Sequence, residues 1–153
     1  MKPTVLFVAT LLTIFQTAFA ALIPIDGDPR TEVRLCPEAS AALKTLLQDN
    51  PERTAGDVAD TGSMKPLLDE NYIVVVERRS FGNLKLGQIV LFRANWSTNI
   101  VAHRLKRRFT WGWQTKGDAF SKIDPNGVDG ENYTGYVVIA AINKSTGQIK
   151  SID

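Results

Sequence analysis

The chain has 153 residues, enough for one domain of ordinary size and little room for a second. Hydrophobic residues make up 44% and charged residues 22%, a globular balance that excludes an intrinsically disordered chain. With 18 Lys and Arg against 16 Asp and Glu, the formal net charge of +2 is too small to indicate a nucleic acid or an acidic substrate as partner.

In chain order, Lys2 is followed by an uncharged stretch, residues 3–25, whose apolar heart runs from Val5 to Phe15. Ala18-Phe19-Ala20 then supplies a small-x-small exit. A positive start, a short apolar core and a small-residue exit predict a secretory signal cleaved after Ala20. The alternative is an uncleaved anchor over residues 3–25, just long enough for a bilayer core of roughly 30 Å, although Thr10, Thr13, Gln16 and Thr17 weaken it. Both readings place residues 26–153 outside the cytoplasm, periplasmic or extracellular, because Lys2 stays on the cytoplasmic side. No later segment is long and apolar enough to span.

Residues 26–34, with Gly27 and Pro29, read as a linker. Pro37-Glu38 opens a helical spacing of Ala39, Ala42, Leu43, Leu46 and Leu47, and Asn50-Pro51 ends it. This predicts a short amphipathic helix of about three turns packed on the domain. Cys36, just before it, is the chain's one cysteine. No intrachain disulfide or cysteine-based metal cluster can form, and Cys36 reads as structural or as an incidental thiol. Residues 51–62 are polar and rich in Gly and Asp, which predicts a loop.

From there the pattern is β. Strands are expected at residues 72–76, 88–92, 99–105, 111–115 and 135–142, each bounded by Gly, Asn, Asp or Pro signals. Strands without intervening helices imply mostly antiparallel pairing. The basic run Arg104-Leu105-Lys106-Arg107-Arg108 reads first as a solvated strand end, and second as a contact for phosphate or lipid headgroups.

Three fragments carry chemistry. Thr61-Gly62-Ser63-Met64-Lys65-Pro66 puts a serine in a loop between a Gly, which lets backbone approach a bound peptide, and a Pro that stiffens the exit. His103 is the one histidine, so any Ser–His chemistry must use it, and a His/Cys zinc site is nearly excluded. A serine hydroxyl needs a base to take its proton, and imidazole suits that task. Thr115-Lys116-Gly117-Asp118 and the later Asp124 offer carboxylates that could fix the tautomer of an imidazole and stabilise its charged form. Each fragment alone is equally compatible with an ordinary turn or strand.

Together they resemble the type I signal peptidases. Ser63-Met64-Lys65-Pro66 is similar to that family's Ser-Met-x-Pro box, and Gly87-Gln88-Ile89-Val90-Leu91-Phe92 to its Gly-Asp-Ile-Val-x-Phe strand. Val101-Ala102-His103-Arg104 is similar to the box holding the general base, and residues 115–124 to its Gly-Asp box. The order matches over residues 61–124, and His followed by Arg resembles the archaeal and endoplasmic-reticulum branch, where most bacterial members carry Lys. The sequence departs at residues 55–60, polar where the family has an apolar strand, and at Gln88, where the family has Asp.

The resemblance implies Ser63 as nucleophile, His103 as general base and Asp124 as the acid that orients the imidazole, with Asp118 a supporting or alternative acid. Thr61 and the Ser63 N–H would form the oxyanion hole, and Met64 would contact substrate. It further implies a mainly β, antiparallel, partly barrel-like signal-peptidase-type domain over residues 53–153. The expected activity is that of an exported serine endopeptidase with no metal or organic cofactor. It would cut protein or peptide substrates after small residues, with a membrane surface as a further partner. The alternative is a catalytically inactive module of the same fold that binds extended peptides in a groove lined by Trp96, Trp111 and Trp113. A self-cleaving repressor-type peptidase, a third reading, fits poorly with an export segment.

Overall fold

The computed structural model describes residues 22–25 and 33–153. The expected signal cleaved after Ala20 and most of the expected linker lie outside the described residues. Leu22–Ile25, the last four residues of the alternative anchor, form strand β1 and pair with the sheet. Among the described residues, no helix is long and apolar enough to cross a membrane.

Helix α1 spans Pro37–Gln48. Its start follows from local chemistry: Cys36 is extended, its Sγ accepts a hydrogen bond from the Ala39 N–H at 3.3 Å, and Pro37 occupies the first turn, where its missing N–H costs nothing. Thus the thiol serves as a cap. The helix sets Ala39 and Leu43 against Ala55, Ile73, Val75, Ala140 and Ile142 of the sheet, so α1 and the strands share one core.

The strands are β2 Arg53–Val58, β3 Tyr72–Arg78, β4 Ile89–Arg93, β5 Ile100–Arg108, β6 Trp113–Lys116, β7 Tyr133–Asn143 and β8 Ile149–Ser151. Their path is β1-β2-β3-β7-β4-β5-β6, with β8 off this path and paired with Ala140–Ile142 of β7. All pairs are antiparallel except those of β1, which runs parallel to β2 and touches β5 through the single pair Ile25↔Ile100. The fold is therefore mainly antiparallel β with one short helix. The sheet is not closed, since β1 meets β5 through one residue pair.

The expected loop at residues 51–62 is corrected: residues 53–58 are strand. Arg53-Thr54-Ala55-Gly56-Asp57-Val58 lacks a β-branched run, but β2 lies between β1 and β3, and its backbone is satisfied on both sides. Ala55 packs in one cluster with Ala39 and Leu43 of α1 and with Ile73 and Val75 of β3, so tertiary context overrides weak local propensity. A strand does lead into Ser63, although a polar one.

Strand β3 reads as a continuous apolar run because both its faces are buried. Ile73 and Val75 face the α1 core, whereas Val74 and Val76 join Met64, Leu68, Ile89, Leu91 and Ala102 in a second one. A third cluster joins Val90 and Phe92 of β4 to Val101 and Leu105 of β5, with Trp113 and Val128. At 4% exposed, Trp113 belongs to this core and does not line a peptide groove, which corrects its place in the alternative reading beside Trp96 and Trp111. Each fully buried Val, Leu or Ile contributes roughly 1.5–3 kcal/mol, so these clusters hold the β4–β5 ladder on which His103 stands.

Candidate active site

Ser63 sits in the loop between β2 and β3. Gly62, with φ of +69°, makes the left-handed turn that a Cβ would resist and delivers Ser63 inward, where it is 7% exposed. The Ser63 carbonyl accepts a hydrogen bond from the Ala119 N–H at 3.0 Å, which ties this loop to the one after β6. Thr61 Oγ1 lies 3.3 Å from Ser63 Oγ and 3.5 Å from its backbone nitrogen.

His103 stands in the middle of β5, paired with Val90 of β4, and is only 2% exposed. Its Nδ1 donates to Asp124 Oδ2 at 2.7 Å, in the tautomer this contact favours. Asp124 comes from the loop that leaves β6 and returns to it, since its N–H bonds the Thr115 carbonyl at 2.9 Å. The Thr115 hydroxyl donates to the same carboxylate oxygen at 2.6 Å. Asp124 is thus buried with two donors, which a buried carboxylate requires. The imidazole is left with Nε2 to offer.

Gly117 shows where Nε2 faces. A Cβ placed on Gly117 would meet the Ser63 carbonyl oxygen at 2.6 Å, His103 Nε2 at 3.0 Å and Phe120 Cδ2 at 3.0 Å. The Ser63 carbonyl and the free nitrogen of His103 therefore crowd the same glycine. Gly117→Ala is expected to destabilise the protein by about 1–3 kcal/mol, since the contacted serine carbonyl is backbone already held by Ala119. It should also reduce any Ser–His chemistry, because relief must move one partner. Urea midpoints of the two proteins check the first effect, and an unchanged midpoint would mean that the contact relaxes freely.

Asp118 does something else. It forms a two-pronged ion pair with Arg104, Nε to Oδ1 at 2.8 Å and Nη2 to Oδ2 at 2.6 Å, and Arg104 Nη1 donates to the Gly87 carbonyl at 2.7 Å. The two acids left open by the sequence are thus separated: Asp124 meets the histidine and Asp118 the neighbouring arginine. The Arg104 hydrogen bonds hold the Asp118 carboxyl below its usual range, against the opposing effect of burial. A depressed carboxyl stabilises the fold fully above its unfolded value, near ~4, and loses that contribution as pH falls through the lower folded value. Asp118→Asn should therefore lower stability at pH 7 and flatten its further decline below about pH 4. Urea midpoints at pH 7, 4 and 3 test this; parallel curves for variant and wild type would contradict it.

Met64 is buried, its Sδ accepting from the Asp118 N–H at 3.5 Å. It also lines a small cavity beside Ser63, about 20 Å³, with Val58, Ala59, Leu68, Val74 and Ala102. That volume holds about one methyl-sized group. The nearest lysine in sequence, Lys65, is exposed and paired with Asp60 and Glu70, and the Asp60 hydrogen bond followed by the Glu70 charge pushes its ammonium up. Lys65 is thus held charged and poorly suited to act as a base.

Sequence reasoning missed Thr115, a contact to Asp124, and Gly117, the close-approach point. Thr115 preceding the Gly-Asp dipeptide gives no signal until the loop is seen to fold back. Gln88, the departure from the family's Asp, donates to Asp153 Oδ1 at 2.9 Å and accepts from the Lys85 N–H at 3.0 Å, so it braces the turn before β4. Among the described residues, no group of His, Cys, Asp and Glu could hold a metal ion. Comparison of the chain with family models, with curated proteins and with solved structures finds no match.

Proposed function

We propose that this protein is a serine endopeptidase that cuts extended segments of exported proteins after small residues. The observation that carries the reading is the His103–Asp124–Thr115 hydrogen-bonded set, with its free Nε2 beside the same glycine as the Ser63 backbone carbonyl. In this mechanism Nε2 takes the Ser63 proton as Oγ attacks the scissile carbonyl, and Asp124 stabilises the imidazolium that forms. The Ser63 N–H and the Thr61 hydroxyl stabilise the oxyanion. The imidazolium then gives its proton to the leaving amine, and a water deacylates the serine by the same route in reverse.

The small cavity beside Ser63, lined by Val58, Ala59, Met64, Leu68, Val74 and Ala102, supports the small-residue preference. The resemblance of residues 61–124 to type I signal peptidases of the His-containing branch supports the same assignment and suggests precursor proteins as substrates. Arg104 and Asp118 act as bracing in this scheme. Incubation of the purified domain with a panel of exported precursors, with fragments identified by mass spectrometry, tests the reading. Cuts following Ala, Gly or Ser are expected. Intact precursors throughout, or cuts after large residues, would contradict it.

A further inference from the structure

The loop after β6 presents a half-exposed aromatic ring that nothing in the proposed bond-breaking step uses. Phe120 is 48% exposed, yet its position is closely fixed. Its N–H bonds the Gly117 carbonyl at 3.1 Å, the preceding Ala119 N–H bonds the Ser63 carbonyl at 3.0 Å, and Lys116 Nζ reaches the Phe120 carbonyl. Its ring lies edge-on to His103 at 6.2 Å between centroids. Its Cδ2 and His103 Nε2 both come to 3.0 Å from the point where a Gly117 Cβ would stand. Trp96, 44% exposed, stacks on His103 at 6.0 Å from the other strand connection, between β4 and β5. Half-exposed rings usually sit on mobile side chains of no consequence, but a ring fixed beside the proton-carrying nitrogen is placed for a ligand.

Resting on the peptidase reading, we infer that Phe120 and Trp96 form an apolar subsite for the residue immediately after the cut. The direction follows from chemistry. The nitrogen that takes the serine proton must later deliver it to the leaving amine, so the leaving part of the chain departs past Nε2. The small cavity at Ser63, lined by Met64 and Ala102, takes the residue before the cut. The two rings pack on His103 itself, Phe120 at its edge and Trp96 on its face, and neither lines that cavity. An apolar or aromatic side chain seated against them removes exposed surface from water on both partners, which favours such a substrate by about tenfold over one with Gly or Ser at that position. Specificity is thus small before the cut and bulky apolar after it.

The test uses a peptide library randomised on both sides of a central alanine, cut by wild-type protein and by the Phe120→Ala, Phe120→Leu and Trp96→Ala variants, with the residue after each cut counted by mass spectrometry. Wild type should enrich Phe, Leu, Met and Trp about tenfold over Gly and Ser. Phe120→Ala should erase most of that ratio, Phe120→Leu should keep part of it, and Trp96→Ala should reduce it. Because the readout is a ratio, a general loss of rate from altered shielding of His103 does not imitate it. Cutting with no preference after the cut, or a preference that survives both alanine variants, overturns the subsite and leaves the peptidase reading standing. No cutting by wild type anywhere in the library overturns both.

Discussion

Replacing His103 by glutamine is expected to lower the cleavage rate by about four orders of magnitude while the protein stays folded. Glutamine is the chosen replacement because alanine would do two things at once. His103 is buried against Phe92 and Trp96, and its removal to a methyl would leave a cavity and strand the Asp124 carboxylate with Thr115 as its one side-chain donor. Losing a partner of a buried charge costs several kcal/mol in stability. The glutamine amide can still donate to Asp124 but cannot carry a proton between Ser63 and the leaving amine. The wild-type rate should fall toward acid pH, because a protonated ring cannot accept the serine proton. Whatever activity the variant retains should lack that fall. Asp124→Asn should lower the rate by a smaller factor, about 10²–10⁴, since the acid orients and stabilises the ring without taking its proton. Cleavage rates from acid to neutral pH for the three proteins, with circular dichroism to establish folding, check these expectations. A folded glutamine variant with wild-type rate and pH profile would remove His103 from the mechanism.

Most of the strand positions were legible because β3, β4, the first half of β5 and β7 are dense in β-branched and apolar residues. Helix α1 was legible for the opposite reason: it has one buried stripe, a proline at its start and Asn50-Pro51 at its end. Strand β2 was not. Its polar, small-residue sequence describes a loop until β1 and β3 are known to lie on either side, and that pairing spans distant parts of the chain. Strand β8 is three residues long, too short to carry a period. How far the sheet goes toward closure depends on how far β1 extends along β5, which no local pattern encodes.

The candidate site divides the same way. Ser63 and His103 could be singled out from residue type and from their boxes. The choice between Asp118 and Asp124 could not, because both follow β6 within a short loop. The answer depends on two facts of folding: Arg104, beside the histidine on β5, points to the other face of the strand and takes Asp118, and the loop returns its backbone to Thr115 at Asp124. The Phe120 ring was equally hidden, since it lies in a connection whose sequence carries no apolar period, whereas Trp96 was singled out only as a groove residue of the inactive-module reading.

Ser63→Ala is the substitution with the largest expected effect on cleavage and a small one on folding. The hydroxyl accepts one side-chain hydrogen bond, at 3.3 Å from an exposed threonine, so its loss should cost about 1 kcal/mol or less. The loop geometry depends on Gly62 and on the Ser63 carbonyl, both of which the substitution keeps. Loss of a nucleophile, by contrast, removes the covalent step, and the rate should fall by about five orders of magnitude or more. The direct test is the initial rate of fragment release from one exported precursor by equal amounts of wild-type and Ser63→Ala protein, with the urea midpoint of each measured alongside. The expected result is matched midpoints and no release above background by the variant. Release at the wild-type rate by a folded Ser63→Ala protein would contradict the assignment of Ser63 as the nucleophile.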